Sequence, residues 1–245
     1  MPKTVRPHRI LGGRLRGYRI VTSWHDYPGA ILGRTERALL EWFERHVKPG
    51  ETWLDVGAHY GYTAIALSRL VGARGRVFAF EPELTTAGCL ARTRQVNDLA
   101  QLIVLPLALG APDSLAVHSL PTVRGMVDRT IAADGRPIAA FLTTRLDWAW
   151  DQLSGEQRRI DGIKIDVQGM ELETLRGMTG LLREFTPDLV LEVHHGVDRR
   201  ELLDLLGSAG FALPGHPVEA EVESASPLYL DDRSYWFTTP SRSAR

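Results

Sequence analysis

Short apolar segments alternate with helical patterns through the middle of this chain, and that alternation constrains its fold more than any other feature. The residue patterns predict strands at 52–57, 76–82, 102–109, 162–167 and 188–195. They predict helices at 61–71, 83–97, 170–185 and 198–209. Strands that are apolar on both faces and separated by helices are typical of a parallel sheet covered on both sides. The chain is therefore predicted to be an α/β protein whose ligands bind at the carboxyl ends of its strands.

The flanks of this alternating region are less regular. Residues 1–34 are interpreted as an N-terminal extension and residues 35–245 as a single domain, which begins with an amphipathic helix at 35–47. Segment 110–146 is rich in Pro, Gly and Thr and is the least regular part of the chain. The segments SPLYL and SYWFTT near the C-terminus predict a terminal hairpin.

The composition excludes several classes of site and partner. The 245 residues carry a net charge of -1, so the global charge indicates neither a nucleic acid nor an anionic membrane as a partner. The one cysteine, Cys89, can form neither an internal disulfide nor a thiolate zinc site. No apolar run approaches the roughly 20 residues that span a bilayer, and the N-terminus lacks the apolar segment of a signal peptide. We therefore expect a cytoplasmic protein that acts on a small molecule, and the sequence does not indicate its oligomeric state.

The turn after the first of these strands carries the clearest ligand-binding pattern, in the segment TWLDVGAHYGYTAIAL. Gly57 allows a sharp turn that brings the backbone close to a ligand. The next helix begins near Gly61, so its free N–H groups face the same place. Asp55 is expected to face it too, where a carboxylate would repel a pyrophosphate and suit an ammonium or hydroxyl groups; the alternative is a helix-capping acid. Ala58 and His59 lie within the turn and are expected to contact the cofactor.

The neighbouring strand supplies a second acid to the same pocket. Glu81, in FAFEP, lies 24 residues beyond Gly57, where an acid can accept both hydroxyls of a ribose; the alternative is a solvated strand-end acid. The third strand end, with Leu107 and Ala108, offers an apolar wall for an adenine. A pocket that suits a ribose and a cationic or zwitterionic group, without a diphosphate, indicates S-adenosyl-L-methionine as the cofactor.

Three blocks of this sequence resemble the FkbM family of S-adenosylmethionine-dependent methyltransferases. The blocks are WLDVGAHYGYTAIALSRLVGARGRVFAFEPE with LIVLPLALG, then IDGIKIDVQGMELETLRGM, then PDLVLEVHH. The resemblance implies a class I methyltransferase fold: a Rossmann-like, seven-stranded, mostly parallel sheet with helices on both faces and an antiparallel C-terminal strand. It places the family's cofactor residues on Asp55, Gly57, Gly61 and Glu81. The chain departs from the family at His59, where Asn is usual, and at Gln168, where Glu is frequent.

Two further strand ends carry the candidate catalytic residues. Asp166 follows the strand GIKIDV, while Glu192 and His194 lie in LEVHH. If these strands are neighbours, as the fold implies, the acids converge and, with the imidazole, could act as a base or hold a divalent cation. An ion pair between Asp166 and Lys164 is the structural alternative. A divalent metal is not favoured, because no tight ligand spacing is present, and the sequence assigns no metal ligand.

The resulting hypothesis is a methyltransferase that O-methylates a hydroxyl of a sugar or secondary metabolite. A nicotinamide-dependent oxidoreductase on a Rossmann fold would need a G-x-G-x-x-G turn, which DVGAHYG does not provide. A nucleic-acid methyltransferase is disfavoured because the chain has no Pro-Pro pair, and Cys89 lies in the middle of a predicted helix. A non-catalytic module that binds S-adenosylmethionine without turnover remains an alternative, because Gln168 replaces an acid.

Overall fold

A computed structural model describes residues 1–219 and 229–240. The strands are β1 (Arg6–Arg9), β2 (Arg19–Thr22), β3 (Thr52–Val56), β4 (Arg76–Phe80), β5 (Leu102–Leu105), β6 (Ala108–Leu109), β7 (Ala116–Val123), β8 (Met126–Val127), β9 (Ile138–Thr144), β10 (Gly162–Ile165), β11 (Asp188–Val193), β12 (His216–Pro217) and β13 (Arg233–Phe237). The helices are α1 (Pro28–Leu32), α2 (Arg37–His46), α3 (Tyr62–Val71), α4 (Leu84–Val96), α5 (Leu146–Ser154), α6 (Glu171–Arg176), α7 (Thr179–Phe185) and α8 (Arg199–Ser208).

The centre of the molecule is a seven-stranded sheet with the strand order β12-β13-β11-β10-β3-β4-β5. Strand β13 runs antiparallel to both of its neighbours, and the other pairings in this sheet are parallel. This confirms the predicted class I methyltransferase fold with its antiparallel C-terminal strand. The strand order reverses between β3 and β10, and in such sheets the ligand crevice lies at that switch point.

The sheet is buried on both faces because successive side chains of a strand point in opposite directions. On β3, Trp53 belongs to the apolar cluster on one face and Leu54 to the cluster on the other face. On β4, Val77 and Phe78 divide in the same way. Each of these four side chains is fully buried, which explains why the strands are apolar without alternation.

The N-terminal segment contributes to the same core. Strands β1 and β2 form an antiparallel hairpin, and α1 follows it. Ile10, Leu15, Ile20 and Ile31 are buried in the cluster that also contains the apolar side chains of α3. Residues before position 35 are therefore packed against the sheet domain.

Two predicted elements are divided in the structure. The predicted strand 102–109 becomes β5 and β6, because Pro106 cannot donate to a strand ladder and the chain leaves the main sheet there. The predicted helix 170–185 becomes α6 and α7, which meet at Gly177. A Cβ on Gly177 would collide with the carbonyl oxygen of Gly110, so this close approach requires glycine.

Segment 110–146 is more regular than its composition indicated. Strands β6, β9, β7 and β8 form a small sheet in that order, and β7 and β9 pair over six residues, from Ala116↔Thr143 to Pro121↔Ile138. At the C-terminus, the described partner of β13 in a hairpin-like pairing is β12. The predicted partner segment 226–230 lies mostly outside the described residues. Within 1–219 and 229–240, every helix is too short or too polar to cross a membrane.

Candidate active site

A cavity of about 270 Å³ opens at the carboxyl ends of the central strands. Gly57, Glu81, Asp166 and Glu192, which lie at or just beyond the ends of β3, β4, β10 and β11, all line it. This is the position predicted from the parallel sheet, next to the point where the strand order reverses.

The turn between β3 and α3 crosses the tip of β4. The N–H groups of Gly57 and Ala58 both donate to the carbonyl oxygen of Phe80, each at 3.0 Å. Gly57 has a φ of +78°, and an added Cβ would collide with the carbonyl oxygen of Asp166. Gly61 has a φ of +94°, and an added Cβ would collide with Leu90 of α4. The glycine pattern is therefore required by the packing of the turn, which in turn shapes the cavity wall.

Asp55 lies beneath the cavity, and the expectation that its carboxylate faces the ligand directly is not met. Its side chain is fully buried, and it accepts a hydrogen bond of 2.7 Å from Thr63 Oγ1. Its other oxygen, Oδ1, lies 3.4 Å from Nζ of Lys164, the residue opposite it on β10. Thr63 and Lys164 both line the cavity. Asp55 therefore contributes to the cavity by holding these two side chains in place.

Glu81 lies on the cavity wall, at the tip of β4, as predicted. The residue is 3% exposed, and its carboxylate accepts hydrogen bonds from the backbone N–H groups of His59 and Glu83, both at 2.9 Å. Burial raises the pKa of Glu81 to about 8. A carboxylate oxygen has more than one lone pair, so capacity remains for the hydroxyl groups of a ribose.

His59 connects the turn to the small sheet and to the N-terminal segment. It has a φ of +51°, in the left-handed region where Asn and His are enriched among non-glycine residues. Its Nε2 lies 3.0 Å from the carbonyl oxygen of Arg124, and its ring centre lies 4.9 Å from that of Tyr27. Burial lowers the pKa of His59 to about 4, so the ring is neutral near pH 7 and Nε2–H donates to Arg124.

An apolar wall completes this end of the cavity. Leu107 and Ala108 line it, as expected for an adenine site, and Ala58 lines it from the turn. Met126 and Val127 of β8 also line it. Sequence reasoning missed these last two residues, because β8 is two residues long and lies inside the irregular 110–146 segment.

Asp166, Glu192 and His194 converge, as the parallel sheet predicted. Nε2 of His194 lies 3.5 Å from Oδ1 of Asp166 and 3.6 Å from Oε1 of Glu192. The two carboxylates line the cavity, but His194 does not, and its side chain is 4% exposed. His194 therefore faces the acids from behind the cavity wall.

Gln168 covers His194. Its amide nitrogen donates to Oδ1 of Asp166 at 3.2 Å and lies 2.9 Å from Nε2 of His194. In the neutral ring, Nε2 accepts this amide hydrogen. In the charged ring, Nε2 carries a proton, so the amide must turn and present its oxygen.

A buried glutamate that the sequence analysis missed orients the imidazole. Glu171 is fully buried at the start of α6, and its Oε1 lies 2.6 Å from Nδ1 of His194. An acid in the first turn of a helix is favourable to the helix itself, so the pattern GMELE did not distinguish this role. Full burial beside a histidine identifies it in the structure.

The charged groups of this cluster shift one another's pKa values. The charge of Asp166, together with burial, raises the pKa of Glu192 to about 8. Burial opposes ionisation of Asp166, but the Lys164 ammonium and the His194 ring outweigh it and hold the pKa of that carboxyl below its ordinary value. Burial also disfavours a charged His194, but the hydrogen bond to Glu171 and the charges of Asp166 and Glu192 raise its pKa to about 9.

The N-terminal segment closes one side of the cavity, with residues that the sequence analysis did not single out. Asp26, Tyr27, Thr35 and Glu36 all line it. Glu36 has a φ of +50° at the N-cap of α2, and burial, followed by the charge of Asp166, raises the pKa of its carboxyl. The sequence carried no motif in this region, and only the packing of α1 and α2 against the sheet brings these residues to the cavity.

The lining fits S-adenosylmethionine. It contains five carboxylates against two permanent cations: Asp26, Glu36, Glu81, Asp166 and Glu192, against Arg124 and Lys164. These carboxyl groups favour a ligand with a positive centre, which stabilises the ionised forms of Glu81 and Glu192 with their pKa of about 8, and they disfavour a diphosphate. Glu81 suits the ribose and the apolar wall suits the adenine, so the residues present match the parts of this cofactor.

Comparisons with known proteins agree with this reading of the cavity. Residues 55–213 match the sequence profile of a family described as "Methyltransferase FkbM domain". The chain is similar to the hexuronic acid methyltransferase AglP of Haloferax volcanii, with 29% identity over 187 residues that cover 72% of this chain and 70% of that protein.

Solved structures show the same fold at low sequence identity. Fibrillarin from Aeropyrum pernix, crystallised with natively bound S-adenosyl-L-methionine, superimposes with a TM-score of 0.54 and 16% identity, covering 97% of this chain and 89% of that one. A SAM-dependent O-methyltransferase from Thermotoga maritima has a TM-score of 0.50 and 13% identity, covering 91% of this chain and 73% of that one.

Proposed function

The chain belongs to the methyltransferase FkbM family, and from this premise we propose that it methylates a hydroxyl oxygen of a sugar or a sugar-containing metabolite. It is a methyltransferase that uses S-adenosyl-L-methionine. The proposal concerns the acceptor: its chemical class and the atom that receives the methyl group.

One observation carries the proposal: Asp166 and Glu192 both lie on the cavity wall. Carboxylates accept hydrogen bonds from hydroxyl groups, and they can take the proton that an alcohol loses when its oxygen is alkylated. Asp26 and Glu36 also line the cavity. A substrate with several hydroxyl groups could therefore donate hydrogen bonds to several carboxylates.

The cofactor, when bound, supplies an electrophilic methyl group, and the chain supplies alignment. Glu81 would accept the ribose hydroxyls, and Leu107 and Ala108 would contact the adenine. Lys164 is buried between Asp55 and Asp166, at 3.4 Å from each, and donates to the carbonyl oxygen of Gly57 at 3.0 Å. The Lys164 ammonium therefore connects the turn between β3 and α3 to the Asp166 carboxylate, which would face the methyl acceptor.

The acceptor class is also supported by the relative from Haloferax volcanii, whose name states that it methylates a hexuronic acid. A nucleic acid is a poor candidate, because the cavity is acidic and the net charge of the chain is -1.

The experiment is a screen of neutral, amino and uronic glycosides with S-adenosylmethionine, read by mass spectrometry. We expect a gain of one CH₂ on a sugar oxygen, located by fragmentation. Asp166→Asn should lower kcat about 100-fold or more, within the range typical of lost acid–base catalysis. Asp231→Asn, an acid 43% exposed that pairs with His195 outside the cavity, is the matched control and should keep full activity.

Methylation of nitrogen or carbon instead of oxygen would contradict the proposal. Full activity of Asp166→Asn on a sugar hydroxyl would remove Asp166 from the reaction.

A further inference from the structure

We propose that Asp166, Glu192 and His194 form a binding site for one divalent transition-metal cation, with Gln168 as a fourth ligand. The three side chains lie at the ends of β10 and β11, with the two carboxylates on the cavity wall and His194 behind them. Each offers one ligand atom, and these atoms all lie within 4.8 Å of one another.

The spacing of these atoms matches the edges of a coordination polyhedron. Nε2 of His194 lies 3.5 Å from Oδ1 of Asp166 and 3.6 Å from Oε1 of Glu192. Ligands bound at about 2.1 Å in a tetrahedral arrangement are separated by about 3.4 Å. These separations exceed those of good hydrogen bonds, but a cation placed between the atoms would contact all three.

Three of the four proposed ligands are each oriented by a partner on the atom that does not face the cation. Nδ1 of His194 lies 2.6 Å from the fully buried Glu171. Nζ of Lys164 lies 3.4 Å from Oδ2 of Asp166, and Ser234 donates to Oε2 of Glu192 at 3.4 Å. A carboxylate that holds the second nitrogen of a ligating histidine is a recurrent feature of metal sites, because it fixes the tautomer that presents the free lone pair.

The side chain of Gln168 lies against the same atoms. Its amide group is 2.9 Å from Nε2 of His194 and 3.2 Å from Oδ1 of Asp166. The two ends of an amide are nearly equal in size, so a half-turn puts the oxygen where the nitrogen now lies. The oxygen would then be a fourth ligand, and in the same orientation it accepts the Nε2 proton of the charged His194 ring while no cation is bound.

The ligand types select the kind of cation. One imidazole with two carboxylates suits Mn²⁺, Fe²⁺ or Zn²⁺, whereas Mg²⁺ and Ca²⁺ prefer oxygen ligands alone. A cation here would polarise the hydroxyl oxygen of a bound sugar. This consequence rests on the proposed function. Binding of the cation can be measured without turnover, so failure of this proposal and failure of the sugar hydroxyl as acceptor are separate outcomes.

The test uses Mn²⁺ and the full-length chain, freed of metal with a chelator. Titration followed by electron paramagnetic resonance should show one saturable site per chain, and pulsed spectra should show coupling to one imidazole nitrogen. His194→Gln should lose the nitrogen coupling and weaken Mn²⁺ binding at least tenfold, as should Asp166→Asn. His195→Gln, which changes a neighbouring histidine whose side chain is 85% exposed, should bind Mn²⁺ as the unchanged chain does.

The unchanged chain alone decides the proposal if a variant fails to fold. Absence of saturable Mn²⁺ binding in the folded chain would overturn it, as would a saturable site without nitrogen coupling. Mn²⁺ binding that is equally strong in His194→Gln and Asp166→Asn would place the site elsewhere and would also overturn it.

Discussion

Two buried carboxylates at neighbouring strand ends, Asp55 and Glu81, differ in what surrounds them. Asp55 is held by Thr63 and Lys164 beneath the cavity. Glu81 has backbone N–H partners and lies on the cavity wall. We therefore expect Glu81 to contact the cofactor and Asp55 to position Lys164.

The raised pKa of Glu81 predicts a pH dependence of cofactor binding. Burial holds that pKa at about 8, and the cationic cofactor with its ribose hydroxyls favours the ionised carboxylate. The affinity for S-adenosylmethionine should therefore rise between pH 6 and pH 8, by up to about tenfold per pH unit, and level off above. Isothermal titration calorimetry on the unchanged chain and on Glu81→Gln measures this. In Glu81→Gln, the affinity should depend less steeply on pH between pH 6 and pH 8. An identical pH dependence in the two chains would show that ionisation of Glu81 does not control cofactor binding.

The same shift has a consequence for the stability of the ligand-free protein. Because the folded pKa of Glu81 lies above its ordinary value of 4.5, the folded state holds a proton that the unfolded state releases between these values. The contribution of this group to stability is therefore present below pH 4.5 and is lost as the pH rises through 8.

Replacing Gln168 by Glu should affect the cation-free and the cation-bound protein differently. Without a cation, repulsion between the new carboxylate and Asp166 should lower the melting temperature, and attraction to the charged His194 ring offsets part of this effect. With Mn²⁺ the extra charge would become a ligand, so Mn²⁺ should raise the melting temperature of this variant more than that of the unchanged chain. Calorimetric melts with and without Mn²⁺ measure both effects, and an equal response of the two chains to Mn²⁺ would show that residue 168 does not reach the cation.

At the scale of elements, the turn between β3 and α3 depends on one close approach of backbone to backbone. Gly57→Ala should destabilise the fold by about 3 kcal/mol or more, since a Cβ at this left-handed position would collide with the Asp166 carbonyl and force β3 and β10 to shift. Gly50→Ala is the matched control, because Gly50 also has a positive φ, +85°, but has no atom within 4 Å of an added Cβ. It should cost only about 1–2 kcal/mol. Equal losses in urea unfolding would show that the collision is relieved without cost.

The parallel sheet was predictable because its strands are buried on both faces. All five residues of β3 are buried, so TWLDV is apolar apart from Thr52 and the internally paired Asp55. Hydrogen bonds within the sheet then bring the tips of consecutive strands together, and this is why Glu81, Asp166 and Glu192 could be assigned to one site from their positions in the sequence.

The small sheet was not predictable in the same way, because most side chains of β7 and β9 are exposed or only partly buried. His118, Ser119 and Ala140 are a mixture of polar and small residues there, without the alternation of a half-buried strand. The helix break at Gly177 was hidden for a different reason, since it depends on the distant carbonyl of Gly110. Glu171 was missed because its partner, His194, lies on another element, and Glu36 was missed because only the packing of α1 and α2 brings it to the cavity.

At the scale of the whole molecule, the N-terminal segment is part of the core and of the cavity. Ile10, Leu15, Ile20 and Ile31 are at most 1% exposed, while Tyr27 and Asp26 line the cavity. The cavity is thus enclosed by the sheet, by the small sheet at β8 and by the segment that precedes α2.

Removal of residues 1–34 should therefore abolish cooperative folding. Each buried Leu or Ile contributes about 1.5–3 kcal/mol, and several of them together approach the 5–15 kcal/mol that stabilises a typical domain. A chain that begins at residue 6, which loses only exposed side chains, is the control and should melt within a few degrees of the full chain. Thermal unfolding by circular dichroism measures both. A cooperative melt of the chain that begins at residue 35 would show that the segment is dispensable.

The central claim is that the cavity between the tips of β3, β4 and β10 holds the cofactor next to the Asp166 and Glu192 carboxylates. A crystal structure with S-adenosylhomocysteine, the demethylated product of the cofactor, tests it most directly. We predict the ribose hydroxyls within hydrogen-bond distance of Glu81, the adenine against Leu107 and Ala108, and the sulfur facing Asp166. A nucleoside bound elsewhere on the sheet, or with its ribose away from Glu81, would contradict the account.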